Sequence, residues 1–312
     1  MPSDMRVATF NLQNLRLRTR EGRAVLDGAA DRDWPKMPRP VDLARADRVE
    51  TAKVIAAAKA DVLAFQEVFD LAALDFFHDQ FLRKAGSPVY PYRYCLKGND
   101  GHGLNVAALS LQQPISVTSH ADLTGTDLDL PDLPANLQNL PIFRRDCLEV
   151  AFENVTLFIC HFKAPYPDAA KAHVIREAEA RAVRKIVERR FEDPTRDRWI
   201  ILGDFNEPAR ADDNSRSALE VLRSGFAVDL LDRLEPGADW TYKMPDSHER
   251  SRPDGIFVSA RLAAEFPDAR PQIIRSGMEP VRRASGTDMV PGTVGAPHAS
   301  DHALIYVDFP GL

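Results

Sequence analysis

The sequence of 312 residues has few cysteines and no long apolar run. Its three cysteines are far apart in unpaired positions, which argues against a disulfide framework and against a cysteine-based zinc cluster. We expect Cys95, Cys147 and Cys160 to be reduced thiols buried as small apolar residues. No stretch approaches the roughly 20 apolar residues of a transmembrane helix, and the amino-terminal residues lack the apolar centre of a signal peptide. We therefore expect a cytoplasmic protein without a membrane anchor.

An excess of positive charge is also missing. The chain has 40 Lys and Arg residues against 46 Asp and Glu residues, so its formal net charge is −6. This balance excludes a protein held on nucleic acid mainly by bulk positive charge, although a local basic rim is compatible with it. The sequence has no Gly-, Ser- or Pro-rich linker, no shift of composition and no internal repeat. We predict one domain over residues 1–312, acting as a monomer without an obligate protein partner.

Apolar segments of strand length alternate with amphipathic helical segments. The Ala-rich segment 41–60 and the Ala-, Arg- and Glu-rich segment 169–190 both have helical periodicity, and each leads into a short apolar run. Such alternation is typical of a layered α/β fold. The glycine-initiated strand 101–110 lacks the following helix and the glycine spacing of a phosphate-binding loop, which excludes the dinucleotide-binding and P-loop classes.

Polar side chains recur at or beside the ends of the predicted strands. The apolar run from Trp199 leads into Gly203-Asp204-Phe205-Asn206. Residues two apart in an extended segment share a side, so Asp204 and Asn206 face one pocket, Phe205 packs behind them, and Pro208 ends the strand. The full set of these polar residues is Asn11, Glu67, His161, Asp204, Asn206, Asp254, Asp301 and His302. A turn or a cap explains any one of them, but the whole set indicates a shared site.

Six short motifs resemble, in order, those of the endonuclease/exonuclease/phosphatase (DNase I-like) superfamily. They are Thr9-Phe10-Asn11, Gln66-Glu67-Val68, His161-Phe162-Lys163, Gly203-Asp204-Phe205-Asn206, Asp254-Gly255-Ile256-Phe257 and Ser300-Asp301-His302. The superfamily includes pancreatic-type deoxyribonucleases, apurinic endonucleases, inositol polyphosphate 5-phosphatases and neutral sphingomyelinases. The resemblance spans nearly the whole chain. It implies a four-layer α/β sandwich with two packed mixed β-sheets flanked by helices, and a site at one edge of the sheets.

The resemblance also implies a phosphoric ester hydrolase that depends on Mg²⁺ or Mn²⁺. Mg²⁺ prefers oxygen ligands and is usually held by one or two carboxylates together with the substrate phosphate. The metal ligands that the family positions imply are Asn11, Glu67 and Asp301. His302 would activate the attacking water or act as an electrostatic partner of the phosphate, and Asp254 would fix its tautomer.

The remaining polar residues are expected to act on the water and the phosphate. Asp204 would orient or deprotonate the water, or bind a second metal ion, while Asn206 and His161 would donate hydrogen bonds to the nonbridging oxygens. The number of metal ions and the identity of the general base are left open by the sequence. The basic residues expected to contact substrate phosphates are Lys163, Arg144, Arg145 and Arg252, although any one of them is equally explained as a solvated surface charge.

Three functions fit these residues. The first is a nuclease acting on DNA or RNA, because His161-Phe162-Lys163 resembles bacterial nucleases of the superfamily. The second is a phosphatase or phospholipase-type phosphodiesterase acting on inositol phosphates or phospholipids. The third is a non-catalytic binding member of the family, against which the complete set of site residues argues. We expect the loops at residues 16–40, 123–141 and 244–253 to decide among substrates.

Overall fold

The computed structural model describes residues 4–29, 39–207, 217–243, 249–278 and 296–312. In chain order, the strands are β1 (Met5–Leu15), β2 (Leu17–Arg20), β3 (Arg23–Leu26), β4 (Val62–Val68), β5 (Tyr92–Cys95), β6 (Asn105–Ser110), β7 (Ser116–Ser119), β8 (Cys147–Ala151), β9 (Thr156–His161), β10 (Trp199–Asp204), β11 (Val228–Asp229), β12 (Tyr242–Lys243), β13 (Arg250–Ser251), β14 (Asp254–Val258), β15 (Gln272–Ile274) and β16 (Leu304–Phe309). The α-helices are α1 (Val41–Ala58), α2 (Leu71–Phe77), α3 (Ala135–Gln138), α4 (Ala169–Arg190), α5 (Glu220–Arg223) and α6 (Ala260–Glu265).

Twelve of these strands form two six-stranded mixed sheets, ordered β15-β16-β1-β4-β6-β5 and β11-β14-β10-β9-β8-β7. Each sheet contains one parallel pair, β1 with β4 in the first and β9 with β10 in the second. Parallel neighbours require a crossover connection, and α1 and α4 lie in these two connections. The carboxyl ends of a parallel pair meet at the same edge of a sheet. The residues that follow β1, β4, β9 and β10 are therefore gathered at sheet edges.

Three apolar clusters hold the layers together. One lies between the sheets and joins Val62 of the first sheet to Ile200 of the second. A second packs the first sheet against α1 and α2, and a third packs the second sheet against α4, where Val183 and Trp199 are buried together. Two sheets between helical layers make the four-layer α/β sandwich, which confirms the predicted fold class. Among the described residues, no helix has the length and hydropathy needed to cross a membrane.

Several predicted boundaries and loops need correction. The segment 16–40 contains the hairpin of β2 and β3, which is mostly exposed or half-buried as expected of a surface segment, and its residues 30–38 lie outside the described residues. Near its end, Arg39 is buried 3.5 Å from Asp47 of α1. Charged residues occupy much of this hairpin, so its sequence shows no clear apolar alternation. The segment 123–141 contains α3, and β8 begins at Cys147, later than the predicted Arg144. Residues 244–248 of the third loop, and Pro208, lie outside the described residues.

Gly203 permits the close approach of β9 and β10. Its φ is +141°, and a Cβ atom at this position would lie 2.0 Å from the carbonyl oxygen of Cys160. Only glycine accommodates both the backbone conformation and the contact. The resulting register pairs Asp204 with His161 on one side and with Asp254 of β14 on the other. Three residues of the predicted site therefore form one row across three adjacent strands.

Candidate active site

The first sheet contributes Asn11 and Glu67 through irregularities in β1 and β4. The pairing of β1 with β4 shifts between Asn11 and Leu15, and that of β4 with β6 shifts beside Glu67, whose φ is +62°. Such bulges turn a side chain away from its regular direction. The Glu67 carboxylate accepts hydrogen bonds from the Asn11 side chain at 3.2 Å and from the Asn14 backbone N–H at 2.9 Å.

The two sheets meet at the carboxylate of Asp204, which is 1% exposed. Its Oδ2 atom accepts a hydrogen bond from Asn11 Nδ2 at 3.0 Å and lies 3.5 Å from His161 Nε2 and 3.8 Å from His302 Nε2. Its Oδ1 atom accepts the backbone N–H of Asn206 at 2.9 Å. Four predicted site residues thus converge on one buried carboxylate.

Asp254 and His302 form a hydrogen-bonded pair beside Asp204. His302 Nδ1 lies 2.8 Å from Asp254 Oδ2, which also accepts the Thr241 hydroxyl at 2.6 Å. Because a carboxylate only accepts, the Nδ1 atom carries a hydrogen and Nε2 faces Asp204. In the Ser-Asp-His motif, the Ser300 hydroxyl donates to the Asn11 carbonyl at 2.7 Å and accepts the His302 backbone N–H at 3.1 Å.

Burial and charge give the two histidines opposite properties. Burial lowers the pKa of His161 well below its usual value, and the positive charges of Arg145 and His302 lower it further. Burial alone would also lower the pKa of His302, but the carboxylates of Asp254 and Asp204 raise it well above its usual value. Before any metal or substrate binds, burial therefore favours the neutral form of His161, and the two carboxylates favour the protonated form of His302.

One group of described side chains, and one set predicted from the sequence, offer ligand atoms for a cation. Asp204, Asp254 and His302 each offer a ligand atom, and these atoms lie within 4.8 Å of one another. The hydrogen bond between His302 and Asp254 already uses two of them, so this trio suits proton chemistry better. The ligands predicted from the sequence are Asn11, Glu67 and Asp301. Burial raises the pKa of Asp301, the charge of His302 lowers it, and the Glu67 carboxylate raises it; a divalent cation held by the Asp301 and Glu67 oxygens would relieve the repulsion between them.

Three of the four predicted substrate-binding cations are close together. Burial lowers the pKa of Lys163, and the neighbouring charges of Arg145 and Arg144 lower it further. Arg145 is nearly buried; its Nε atom lies 3.0 Å from Asp100 Oδ2, and its Nη1 atom donates to the Phe162 carbonyl at 3.0 Å. The Asn206 side chain donates to the same carbonyl at 3.0 Å. This cationic group is therefore linked directly to the segment that carries His161.

Arg252, the fourth predicted cation, is surrounded by acidic side chains. Its guanidinium lies 2.8 Å from Asp229, 2.9 Å from Asp232 and 3.2 Å from Asp239. Burial would lower the pKa of Arg252, but these carboxylates raise it. The structure does not leave its charge available in the way expected of a phosphate-binding residue, and its role in substrate binding stays a prediction.

A phenylalanine from each of three motifs forms the floor beneath the row of site residues. The Phe205 ring lies 5.1 Å from the Phe162 ring and 5.2 Å from the Phe257 ring, both in edge-to-face geometry. All three are buried, and Phe205 lies behind the site, where the strand alternation places it. Such aromatic pairs contribute about 1 kcal/mol each beyond their burial, so the apolar positions of the motifs support the polar ones.

The sequence did not single out the charged residues on the crossover helices. Arg48 of α1 donates to the carbonyls of Leu12, Gln13 and Asn14, between 2.6 and 2.9 Å, and so holds the irregular end of β1. Glu179 of α4 accepts the backbone N–H groups of Arg144 and Lys163. Their position in the helical pattern is the feature of the sequence that could have identified them. Both fall on the apolar face of an amphipathic helix, where an unpaired charge is costly.

The buried carboxyl of Glu179 should make folding stability depend on pH. Burial raises the pKa of Glu179 from 4.5 to about 7. Between these values the folded protein keeps a proton that the unfolded chain loses, so Glu179 lowers the free energy of unfolding by about 3 kcal/mol as the pH rises through this range. Urea unfolding at pH 5 and pH 8 should show a smaller decrease for Glu179→Gln than for the wild type. Glu177→Gln, at a half-exposed position on the same helix, should match the wild type; an unchanged decrease in Glu179→Gln would contradict the assignment.

Comparisons with known proteins identify the family and the fold of the chain. The sequence profile of the Endonuclease/Exonuclease/phosphatase family matches residues 8–302. SmcL has a similar fold, with a TM-score of 0.60 and 15% identity over 99% of this chain and 100% of that chain. A family protein from Leptotrichia buccalis C-1013-b gives a TM-score of 0.57 and 16% identity over 97% and 98% of the two chains, and humanized D. rerio TDP2 gives 0.55 and 16% over 98% of each.

A comparison with curated proteins gives no match. At these identities, the structural similarities show the fold alone. The match of the family profile covers nearly the whole chain and every residue placed around Asp204, from Asn11 to His302. The chain therefore belongs to the Endonuclease/Exonuclease/phosphatase family, whose members hydrolyse phosphoester bonds.

Proposed function

We propose that this protein is a divalent-metal-dependent nuclease that hydrolyses phosphodiester bonds in DNA or RNA. The observation that carries the hydrolytic part is the convergence of Asn11, His161 and His302 on Asp204, with Asp254 behind His302. Support for a nucleic-acid substrate comes from the group of three cations next to His161, because phosphate contacts supply much of the affinity of proteins for nucleic acids.

His302 and Asp204 would handle the attacking water. Asp254 keeps the hydrogen of His302 on Nδ1, so Nε2 is the atom that exchanges a proton with the reacting groups. The Asp204 carboxylate faces Nε2 at 3.8 Å, a separation that leaves room for a water oxygen to contact both groups. In this scheme Asp204 orients the water and His302 acts in proton transfer or supports the charge that develops on the phosphate.

Asn206 and His161 would stabilise that charge by donating hydrogen bonds to the nonbridging phosphate oxygens. The Asn206 side-chain amide donates one N–H to the Phe162 carbonyl, which fixes the side chain. Its second N–H can donate to a phosphate oxygen. Burial lowers the pKa of His161, which favours the neutral imidazole, and its Nε2 atom lies 3.5 Å from Asp204 Oδ2. Glu67, Asp301 and Asn11 would hold the divalent cation, which supplies neutralisation of the phosphate charge when bound.

Incubation with plasmid DNA, single-stranded DNA and RNA in the presence of Mg²⁺ or Mn²⁺ should give cleavage that EDTA abolishes. Glu67→Gln should lower the cleavage rate by about a hundredfold, because a neutral amide replaces a charged ligand of the hard cation. Glu50→Gln, on the outer face of α1, should cleave like the wild type. The assay separates nicked and linear DNA on gels.

Parallel reactions with inositol phosphates and with sphingomyelin identify the other candidate substrates. Release of product from these alone, with intact DNA and RNA, would replace the nuclease proposal by the phosphatase or phospholipase-type activity. Absence of hydrolysis for every substrate under both metals, combined with nucleic-acid binding that does not need a metal, would support a non-catalytic binding protein.

A further inference from the structure

The crossover helix α4 carries two charged residues on its buried face, one turn apart. Arg176 and Glu179 are 1% and 0% exposed. Charged side chains are seldom buried so completely unless hydrogen bonds satisfy them. Their hydrogen bonds connect α4 to the cationic group and to the segment that follows Asn206, at the edge of the sheet where the site lies.

Glu179 joins two separate segments of the chain. Its Oε1 atom accepts the backbone N–H of Arg144 at 2.9 Å, and its Oε2 atom accepts that of Lys163 at 2.7 Å. Arg144 lies before β8 and Lys163 lies just after β9. A single carboxylate therefore fixes the backbones of two of the predicted phosphate-binding residues relative to each other.

Arg176 completes the attachment. Its Nη1 atom donates to the Lys163 carbonyl at 3.2 Å, so the peptide groups on both sides of Lys163 are held by α4. Its Nε atom lies 3.2 Å from Glu207 Oε2, and Glu207 Oε1 accepts the backbone N–H of Ala218 at 3.0 Å. Since Glu207 follows Asn206, the same helix links the segments that carry Lys163 and Asn206.

The cations held in this way carry more positive charge than their surroundings neutralise. Arg145 is paired with Asp100. The Lys163 ammonium donates to the carbonyls of Ala164 and Tyr166, which bear no net charge. Within the described part of the chain, the half-exposed Arg144 guanidinium has no carboxylate partner. Burial lowers the pKa of Lys163, the charges of Arg145 and Arg144 lower it further, and the carboxylates of Glu179 and Asp100 raise it; a bound anion would add to the effect of these carboxylates.

We propose that Glu179 and Arg176 are positioning residues that hold Arg144 and Lys163 as a binding site for a substrate phosphate next to the scissile one. The inference rests on the proposed function and narrows its substrate class to chains with successive phosphates, such as oligonucleotides. Neither residue touches the reacting atoms; they act through the backbones of Arg144 and Lys163.

The first measurement is the binding of a fluorescein-labelled single-stranded oligodeoxynucleotide in EDTA, which prevents cleavage, followed by fluorescence anisotropy. Glu179→Ala should raise the Kd about tenfold, as expected for about 1.4 kcal/mol of lost phosphate contacts. Glu179→Gln should recover part of this loss because its amide oxygen still accepts one N–H. Glu177→Gln serves as the matched control and should bind like the wild type.

A double-mutant cycle separates positioning from a general effect on the fold. Arg144→Gln should weaken binding in the wild-type background and have little further effect in Glu179→Ala, because the guanidinium is already displaced. Glu179→Gln replaces Glu179→Ala in the cycle if the alanine variant does not fold. In cleavage assays with Mg²⁺, the Glu179 variants should raise KM while kcat changes less than threefold.

Additive effects in the cycle, or a fall in kcat at constant KM, would overturn the inference while leaving the nuclease proposal intact. Failure of the wild type to bind the oligonucleotide would overturn it as well. Oligonucleotide binding with the expected coupling, but without cleavage of any phosphodiester, would support the phosphate-binding site and reject the nuclease activity.

Discussion

Replacing His302 with alanine should lower the rate of phosphodiester hydrolysis by about a thousandfold, within the range of 10²- to 10⁴-fold that a positioned acid or base contributes. The imidazole connects Asp254 at 2.8 Å to the region in front of Asp204, 3.8 Å from Nε2. The alanine variant retains both carboxylates and loses the imidazole whose Nε2 atom would exchange a proton with the reacting groups. The rate is measured by release of product from a labelled oligonucleotide at saturating Mg²⁺.

Two further variants identify the cause of this loss. Asp254→Asn should also lower the rate, but by less than His302→Ala, because the asparagine amide oxygen still accepts the Nδ1 hydrogen although it carries no charge. His173→Ala, at a half-exposed position on α4, should retain the wild-type rate. A rate within threefold of the wild type in His302→Ala would exclude His302 from the reaction.

Gly203→Ala should lower the free energy of unfolding by on the order of 4 kcal/mol. The added Cβ would lie 2.0 Å from the Cys160 carbonyl oxygen, and the residue would keep a φ of +141°. Backbone strain and overpacking each cost roughly 1–3 kcal/mol, and together they are a large fraction of the stability of a typical protein. Urea unfolding at a fixed pH measures the change, and the same variant should lose activity because Asp204 shifts relative to His161.

Gly225→Ala distinguishes the two contributions. Gly225 also has a positive φ, +72°, but a Cβ atom there would have no neighbour within 4 Å. We expect a cost of about 1 kcal/mol from backbone conformation alone. If both glycine variants had equal stability, the close approach of β9 and β10 would not be the reason for glycine at position 203.

The sequence predicted the layered fold because the crossover helices and central strands have strong local patterns. The apolar run into Asp204 and the Ala-rich helix patterns depend on neighbours in the sequence, which periodicity detects. The polar residues at strand ends could be selected because parallel strands place them at a common edge. The prediction of a site depends on the joint occurrence of these polar residues and on the order of the motifs.

Other parts of the site depend on contacts that no local pattern reveals. Glu179 and Arg48 bind backbone atoms of segments distant in sequence. Every residue type has these backbone atoms, so the sequence does not indicate which residues are bound. Glu67 owes its direction to a bulge with a positive φ, although the surrounding sequence is that of an ordinary buried strand. The charge of Arg252 alone predicts a phosphate-binding residue, whereas its contacts are with three aspartates from other segments.

The helical layers of this fold have a role beyond covering the sheets. Arg48 on α1 donates to carbonyls that follow Asn11, and Glu179 on α4 accepts the N–H groups of Arg144 and of Lys163, which lies two residues after His161. The two crossover helices thus hold different parts of the site with charges of opposite sign. The cation of α1 binds backbone carbonyls, and the carboxylate of α4 binds backbone N–H groups. A screen for substitutions that weaken substrate binding or catalysis should therefore return positions from the interior of both helices, whereas the outer surfaces of the same helices should tolerate substitution.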